Sequence, residues 1–319
     1  MRRSGQDPDH AESTCSGGTD TRPHELHLGG QVFGPRRPAV MCIVNRTRNS
    51  FYAAGRHPEL SQALAAAEEA VAQGADIVDV GAVRAGQEGP PVSATQEYDA
   101  LAPFVSGLRE RLDGVVLSID TWRSEVARRL AWGHPELIND TWAGADPELV
   151  GVAADLDAGY VVSHTGGLPP RTDPVAPRYD PEPDGVVRAV LADLAAGAER
   201  ATAAGVRPER ILVDPTLDFG KNTLHSLTLL RHTPEIVSLG YPVLQAISRK
   251  DFVGETLDLP VQDRLEGTLA ATALASWMGC TVFRTHDPLA TRRTLDMVRS
   301  IAGDRPPAVL RRGIASDAG

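Results

Sequence analysis

Several protein classes are excluded by what this chain lacks. Its 319 residues hold three cysteines, Cys15, Cys42 and Cys280, with neither metal-ligand spacing nor a disulfide framework. Cys42 and Cys280 lie in apolar runs and read as buried free thiols. No apolar run reaches the roughly 18 residues that a membrane-spanning helix needs. Arg2 and Arg3 precede no apolar stretch, so no secretory signal is expected and a cytoplasmic location is. A net charge of −10 argues against non-specific binding to nucleic acid or to an anionic membrane, though a local cationic pocket remains compatible with it. No G-x-G-x-x-G turn is present, which disfavours a doubly wound dinucleotide fold. Gly220-Lys221-Asn222-Thr223 imitates the end of a phosphate loop, but Pro215 stands where its first glycine belongs. Asp218-Phe219-Gly220 lacks the companion motifs of a kinase.

What the chain does have is alternation. Eight short apolar runs occur at 40–45, 75–81, 115–121, 137–141, 160–164, 211–215, 243–250 and 281–287. They are continuous rather than alternating, as befits parallel strands buried on both faces. Between and after them lie Ala- and Leu-rich amphipathic segments at 59–73, 93–112, 123–132, 146–158, 183–204, 224–238, 262–278 and 288–301. Eight strand–helix units predict an α/β fold, a (β/α)8 TIM barrel over 39–303. Residues 1–38, rich in Gly, Ser, Pro, Asp and His, predict a disordered N-terminal tail, and 304–319 a C-terminal tail.

Nearly every run ends in a polar residue: Asn45, Asp79, Asp120, Asn139, His164, Asp214, Lys250, Arg284 and His286. A barrel gathers such ends on one face, where its active site lies. Asp120, Asn139 and Asp214 offer acceptors and an amide suited to a flat heterocycle with amino and carbonyl edges; each alone also reads as a helix N-cap. Lys250 can donate to a ring carbonyl or nitrogen, or can belong to a surface basic pair with Arg249. Arg284 and His286, two apart on an extended chain, share a face and suit a phosphate or diphosphate. Asn45 can supply one oxygen to Mg²⁺, which prefers oxygen ligands.

In this order the motifs resemble those of the dihydropteroate synthase family. Ile43-Val44-Asn45-Arg46-Thr47-Arg48-Asn49-Ser50-Phe51 is similar to I-L-N-V-T-P-D-S-F, and Asp76-Ile77-Val78-Asp79-Val80-Gly81 to D-I-I-D-V-G. Ser118-Ile119-Asp120-Thr121, Ile138-Asn139-Asp140, Asp214-Pro215 with Phe219-Gly220-Lys221, Ser248-Arg249-Lys250 and residues 284–287 follow. The resemblance implies a homodimeric barrel that joins 6-hydroxymethyl-7,8-dihydropterin diphosphate to p-aminobenzoate. It implies that Asp120, Asn139, Asp214 and Lys250 hold the pterin, and that Asn45, Arg284 and His286 hold the diphosphate with Mg²⁺ near Asn45.

The departures cluster in the second-substrate half. Arg48 and Asn49 replace the proline and acidic residue of the first loop. The S-T-R-P element of the second loop is gone, with Arg84 two positions early. Asp251 stands for the serine that meets the aminobenzoate carboxylate, and Asp218 and Thr216 stand for glycines beside the pocket residue Phe219. The M-H-M-R-G motif becomes Ser163-His164-Thr165-Gly166-Gly167. Two like charges ~4 Å apart repel by about 1 kcal/mol in water and about 4 at an effective dielectric of ~20. The chain thus resembles the diverged second synthase copy of some actinobacteria, with pterin-diphosphate binding kept and aminobenzoate condensation weak or absent. The alternatives are an active synthase with altered loops, a pterin-dependent methyltransferase, which Arg284 and His286 disfavour, and a non-catalytic pterin-binding or interaction protein.

Overall fold

The computed structural model describes residues 25–46, 56–83, 91–172, 178–182 and 184–312. It opens with a hairpin, β1 (Leu26–Leu28) and β2 (Gln31–Phe33). Eight parallel strands follow: β3 (Ala39–Asn45), β4 (Ile77–Gly81), β5 (Val116–Asp120), β6 (Leu137–Asp140), β7 (Gly159–Ser163), β8 (Ile211–Asp214), β9 (Leu244–Gln245) and β10 (Val282–Thr285). Their order is β8-β7-β6-β5-β4-β3-β10-β9. A parallel bridge from Val213 to Val243 joins the two ends and closes the barrel.

The helices around it are α1 (Arg56–Ala72), α2 (Ala94–Arg111), α3 (Ser124–Arg129), α4 (Leu149–Asp155), α5 (Gly185–Ala203), α6 (Thr223–Arg231), α7 (Thr233–Val237), α8 (Asp251–Leu257), α9 (Leu265–Trp277) and α10 (Pro288–Ile301). None is long and apolar enough to cross a membrane, among the described residues. The start of α2 is set chemically. Ser93 Oγ accepts from the Gln96 amide while Gln96 reaches back to the Ser93 amide, a reciprocal cap.

Strand alternation divides the interior in two. Val78, Val80, Leu117, Ile119, Ile138, Val162, Val213 and Phe283 face outward into the layer under the helices. Met41, Ile77, Val116, Leu137, Val161, Leu212, Leu244 and Val282 face inward and fill the lower barrel. Two residues further along, the inward positions become Asp79, Ser118, Asn139, Ser163, Asp214 and Arg284. The apolar layer is thus a floor on which the polar side chains stand.

Residues 25–38 depart from the predicted tail. Leu26, Leu28 and Phe33 join the inward apolar cluster. They close the barrel at the strands' N-terminal end, where Leu28 packs on Gly159 and Gln31 Nε2 donates to Gly114 O at 3.0 Å. Gly29 and Gly30 both take positive φ (54° and 75°), the conformation of a two-residue hairpin turn. Residues 1–24 lie outside the described residues. After α10 the chain carries no helix or strand through 312, and Asp304 is tied back to Arg299 at 2.8 Å.

Phe33→Ala removes a ring that is 1% exposed in this plug. Its cost is about 3–5 kcal/mol of folding free energy, read from urea denaturation midpoints.

Candidate functional site at the barrel mouth

The centre of the site is a buried ion cluster. Arg284, from β10, donates through Nε to Asp79 Oδ2 and through Nη2 to Asp120 Oδ2, each at 2.7 Å. Asp79 is fully buried. It also accepts from Ser118 Oγ at 2.6 Å and from Asn139 Nδ2 at 3.2 Å. Burial pulls the Arg284 guanidinium down, but the two carboxylates outweigh this and hold it above its ordinary value. Burial pushes Asp120 up to about 7, against the lowering charge of Arg284.

Above this floor lies a cavity of about 350 Å³ whose wall includes Asn45, Asp120, Asp214, Phe219, Lys250 and Arg284. That volume falls in the range of small-molecule sites. Asp214 Oδ1 accepts from the Thr216 amide at 2.7 Å, and burial raises its carboxyl against the lowering charge of Lys250. Lys250 caps α8, donates to Leu217 O and stands 5.0 Å from the Phe219 ring centre. Desolvation lowers its ammonium, while Asp218 and Asp214 act in the opposite sense. Asn139 is not part of the cavity wall; it is bound to Asp79, and its buried Oδ1 has no hydrogen-bond donor among the described residues.

The pairing of Arg284 with His286 is looser than their shared face suggests. Arg284 is drawn down to the carboxylates, whereas His286 is exposed at the rim and its Nδ1 lies 3.1 Å from Ser248 Oγ. Asn45 ends β3 at the mouth. Among the described residues no group of three His, Cys, Asp or Glu side chains could hold a metal. A divalent ion held by Asn45 would depend on water and ligand phosphates for its other ligands, as Mg²⁺ commonly does.

A second chamber of about 320 Å³ shares Trp142, Phe219 and Lys250 with the first, and adds Asp218, Arg249, Asp251 and Arg264. Asp251 neither meets Arg249 nor stands alone; it pairs with Arg264 at 2.8 Å and is 80% exposed. Arg249 instead makes a two-point pair with Asp287 at 2.9 and 3.0 Å. Asp218 and Thr216 take φ of 68° and 51°, which explains why glycine suits both places in the motif. Arg48, Asn49 and Arg84 lie outside the described residues.

Sequence reasoning named Phe219 but passed over its aromatic neighbours. Trp142 meets Trp122 edge-on at 6.5 Å and Phe219 at 5.7 Å, and Arg123 covers the Trp122 ring at 4.3 Å. The signal was available in period-two spacing: Asp120 and Trp122 share a face. Lys221 was likewise passed over. Its ammonium donates to the carbonyls of His164, Thr216 and Phe219 at 2.8, 3.1 and 2.7 Å, tying the loop after β8 to β7. Burial pushes Lys221 down to about 7, while three carbonyl acceptors match the three protons of its charged form.

His164 leaves β7 on the outer side, beside Tyr179, and belongs to no wall of the site. Burial and, secondarily, the Lys221 charge push it down to about 3. Asp193 is 3.3 Å from Nε2, but it is 66% exposed, and neither ring nitrogen is hydrogen-bonded among the described residues, so solvent screens its pull.

This architecture defines a closed parallel barrel with a small-molecule site at the strands' C-terminal ends. Residues 41–286 match the pterin binding enzyme family. The inactive dihydropteroate synthase 2 of Mycobacterium leprae (strain TN) is 52% identical over 90% of this chain and 99% of that protein. That of Mycobacterium tuberculosis (strain ATCC 25618 / H37Rv) is 49% identical over 90% of each. Among solved structures, Xanthomonas albilineans dihydropteroate synthase with 4-aminobenzoic acid is similar at a TM-score of 0.78 and 31% identity, covering 90% of this chain and 100% of that one. The chain belongs to the pterin binding enzyme family, as a homologue of the dihydropteroate synthases.

Two variants test this description. Arg284→Met leaves the Asp79 carboxylate buried without its cation, and costs about 3–5 kcal/mol in chemical denaturation. His164 is protonated in the unfolded chain below its ordinary 6.5 and stays neutral in the fold down to about 3. Its contribution is therefore lost as pH falls from ~6.5 towards ~3. On going from about pH 7.5 to about pH 5, His164→Phe loses about 2 kcal/mol less stability than the parent, measured by urea unfolding at both values.

Proposed function

We propose that this protein binds 6-hydroxymethyl-7,8-dihydropterin diphosphate at the barrel mouth and condenses it with p-aminobenzoate weakly or not at all. The observation that carries the reading is the polar floor: Asp120, Asp214 and Lys250 face one cavity, and on the strand beside Asp120 the buried Asn139 Oδ1 has no donor among the described residues. Together they offer the acceptors and donors that a flat heterocycle with amino and carbonyl edges requires.

In this reading Asp120, Asn139, Asp214 and Lys250 hold the pterin. Asn45, Arg284 and His286 receive the diphosphate, and Asn45 contributes one oxygen to Mg²⁺, which neutralises phosphate charge when bound. Arg284 uses two of its five N–H donors on Asp79 and Asp120; others remain for a phosphate. The second half of the reading rests on the chamber beside Phe219, where Asp218 and Asp251 replace the residues that the synthase motifs carry, and on relatives named inactive. The protein acts in the cytoplasm as a homodimer. Leu274 and Trp277 on α9, and Met297 and Ile301 on α10, are large exposed apolar side chains on two helices packed together, a surface suited to a second copy.

Calorimetry with the pterin diphosphate and Mg²⁺ gives saturable binding, while adding p-aminobenzoate yields little or no dihydropteroate. Substantial product sinks the inactive reading, and absent pterin binding sinks the whole assignment. Sulfonamides bind weakly for the same reason as p-aminobenzoate, and sedimentation gives twice the 34.0 kDa chain mass.

A further inference from the structure

In the second chamber, each group suited to receiving an anion already has an acceptor supplied by the chain. Arg249 is spent on Asp287 and on the carbonyls of Val261 and Gln262. Arg264 holds Asp251 and the carbonyls of Leu259 and Arg249. Lys250 donates to Leu217 O. Asp218, on the chamber wall, accepts through Oδ2 from the Phe252 amide in the first turn of α8 at 3.2 Å. Ser226 Oγ steadies the other carboxylate oxygen at 3.0 Å. The left-handed backbone at Asp218 (φ 68°) is one that aspartate tolerates through such local hydrogen bonds.

We propose that Asp218 is a resident anion which sets the class of the second ligand: the chamber takes an aromatic amine that carries no carboxylate, and rejects an arylcarboxylate. This rests on the reading of the first cavity as a pterin diphosphate site. An incoming carboxylate would meet the charge of Asp218, which lines the chamber, at close range. A neutral or cationic ring meets Trp142, Phe219 and a carboxylate already held in place by the chain. Asp251 has the lesser part, because it is largely in solvent and held by Arg264, where screening weakens its field.

The test titrates the full chain with 4-aminobenzoate and with 4-aminobenzamide, which differ only in the carboxylate. Pterin diphosphate and Mg²⁺ are present, and pterin binding is measured first. The parent protein binds the carboxamide at least about ten-fold more tightly than the carboxylate. Asp218→Gly, which suits the positive φ, tightens 4-aminobenzoate by about ten-fold or more and moves 4-aminobenzamide little. Asp218→Asn keeps one acceptor oxygen for the Phe252 amide and reverses the contact with Ser226 Oγ, removes the charge and shifts the ratio the same way. Asp251→Ser leaves the ratio within about two-fold. The claim is overturned if the parent holds the carboxylate as tightly as the carboxamide. It is equally overturned if neither Asp218 variant moves the ratio, or if neither ring binds any of these proteins. Failure of pterin diphosphate to bind overturns the cavity reading instead; the two rings titrated without it then decide the role of Asp218 separately.

Discussion

The clasp of Arg284 on Asp79 and Asp120 is the constraint around which the upper barrel is arranged. A buried charge left unpaired costs several kcal/mol, so all three side chains must point inward at matching heights. Asp79 and Asp120 come from adjacent strands and Arg284 from β10, two strands away from β4. A slip of one residue in any of these strands would turn its charge into the apolar layer under the helices. The cluster thus fixes strand register at the level where chemistry happens, while Met41, Ile77 and Val282 fix it below. The same guanidinium is the cation that a phosphate would claim, so ligand binding and barrel integrity draw on one group.

The two chambers differ in how far their polar groups are satisfied internally. Beside the first, Asn139 Oδ1 lacks a donor among the described residues, and Asp214 keeps one oxygen beyond its bond to Thr216. The second is closed on itself, with Arg249–Asp287 and Arg264–Asp251 paired across its wall. An unsatisfied buried group gains from a ligand that completes it, whereas a satisfied pair must be broken first. That contrast agrees with a chain whose motifs follow the dihydropteroate synthases on the pterin side and leave them on the other.

Much of this was legible in the sequence because strand ends and barrel geometry share one rule. Inward residues recur every second position, so Asp120, Asp214 and Arg284 could be assigned to one mouth from spacing. Depth was not legible. Arg284 and His286 share a face, yet one is drawn to the floor by carboxylates far away in sequence and the other stays at the rim. The run 243–250 read as one strand, but β9 stops at Gln245 and Arg249 turns with φ 53°, which makes Lys250 a helix cap and starts α8. The predicted helix 224–238 breaks ahead of Pro234, whose ring disfavours continuation. The hairpin was concealed by a Gly- and Pro-rich composition, although Gly29-Gly30 between Leu28 and Gln31 is a turn signal. The partner of Asp251 was beyond reach, because contact with Arg264 depends on how α8 and α9 are set.

The edge-on pair of Trp122 and Trp142 has an optical consequence. These are two of the four tryptophans in the chain. The other two, Trp132 and Trp277, are 47% and 59% exposed, away from the cavity wall. Indole emission is sensitive to polarity and to stacked neighbours, so light from the shielded pair reports on whatever enters the mouth. A soluble quencher would silence the exposed pair first. The protein thus carries its own spectroscopic gauge of occupancy, with no dye or label required.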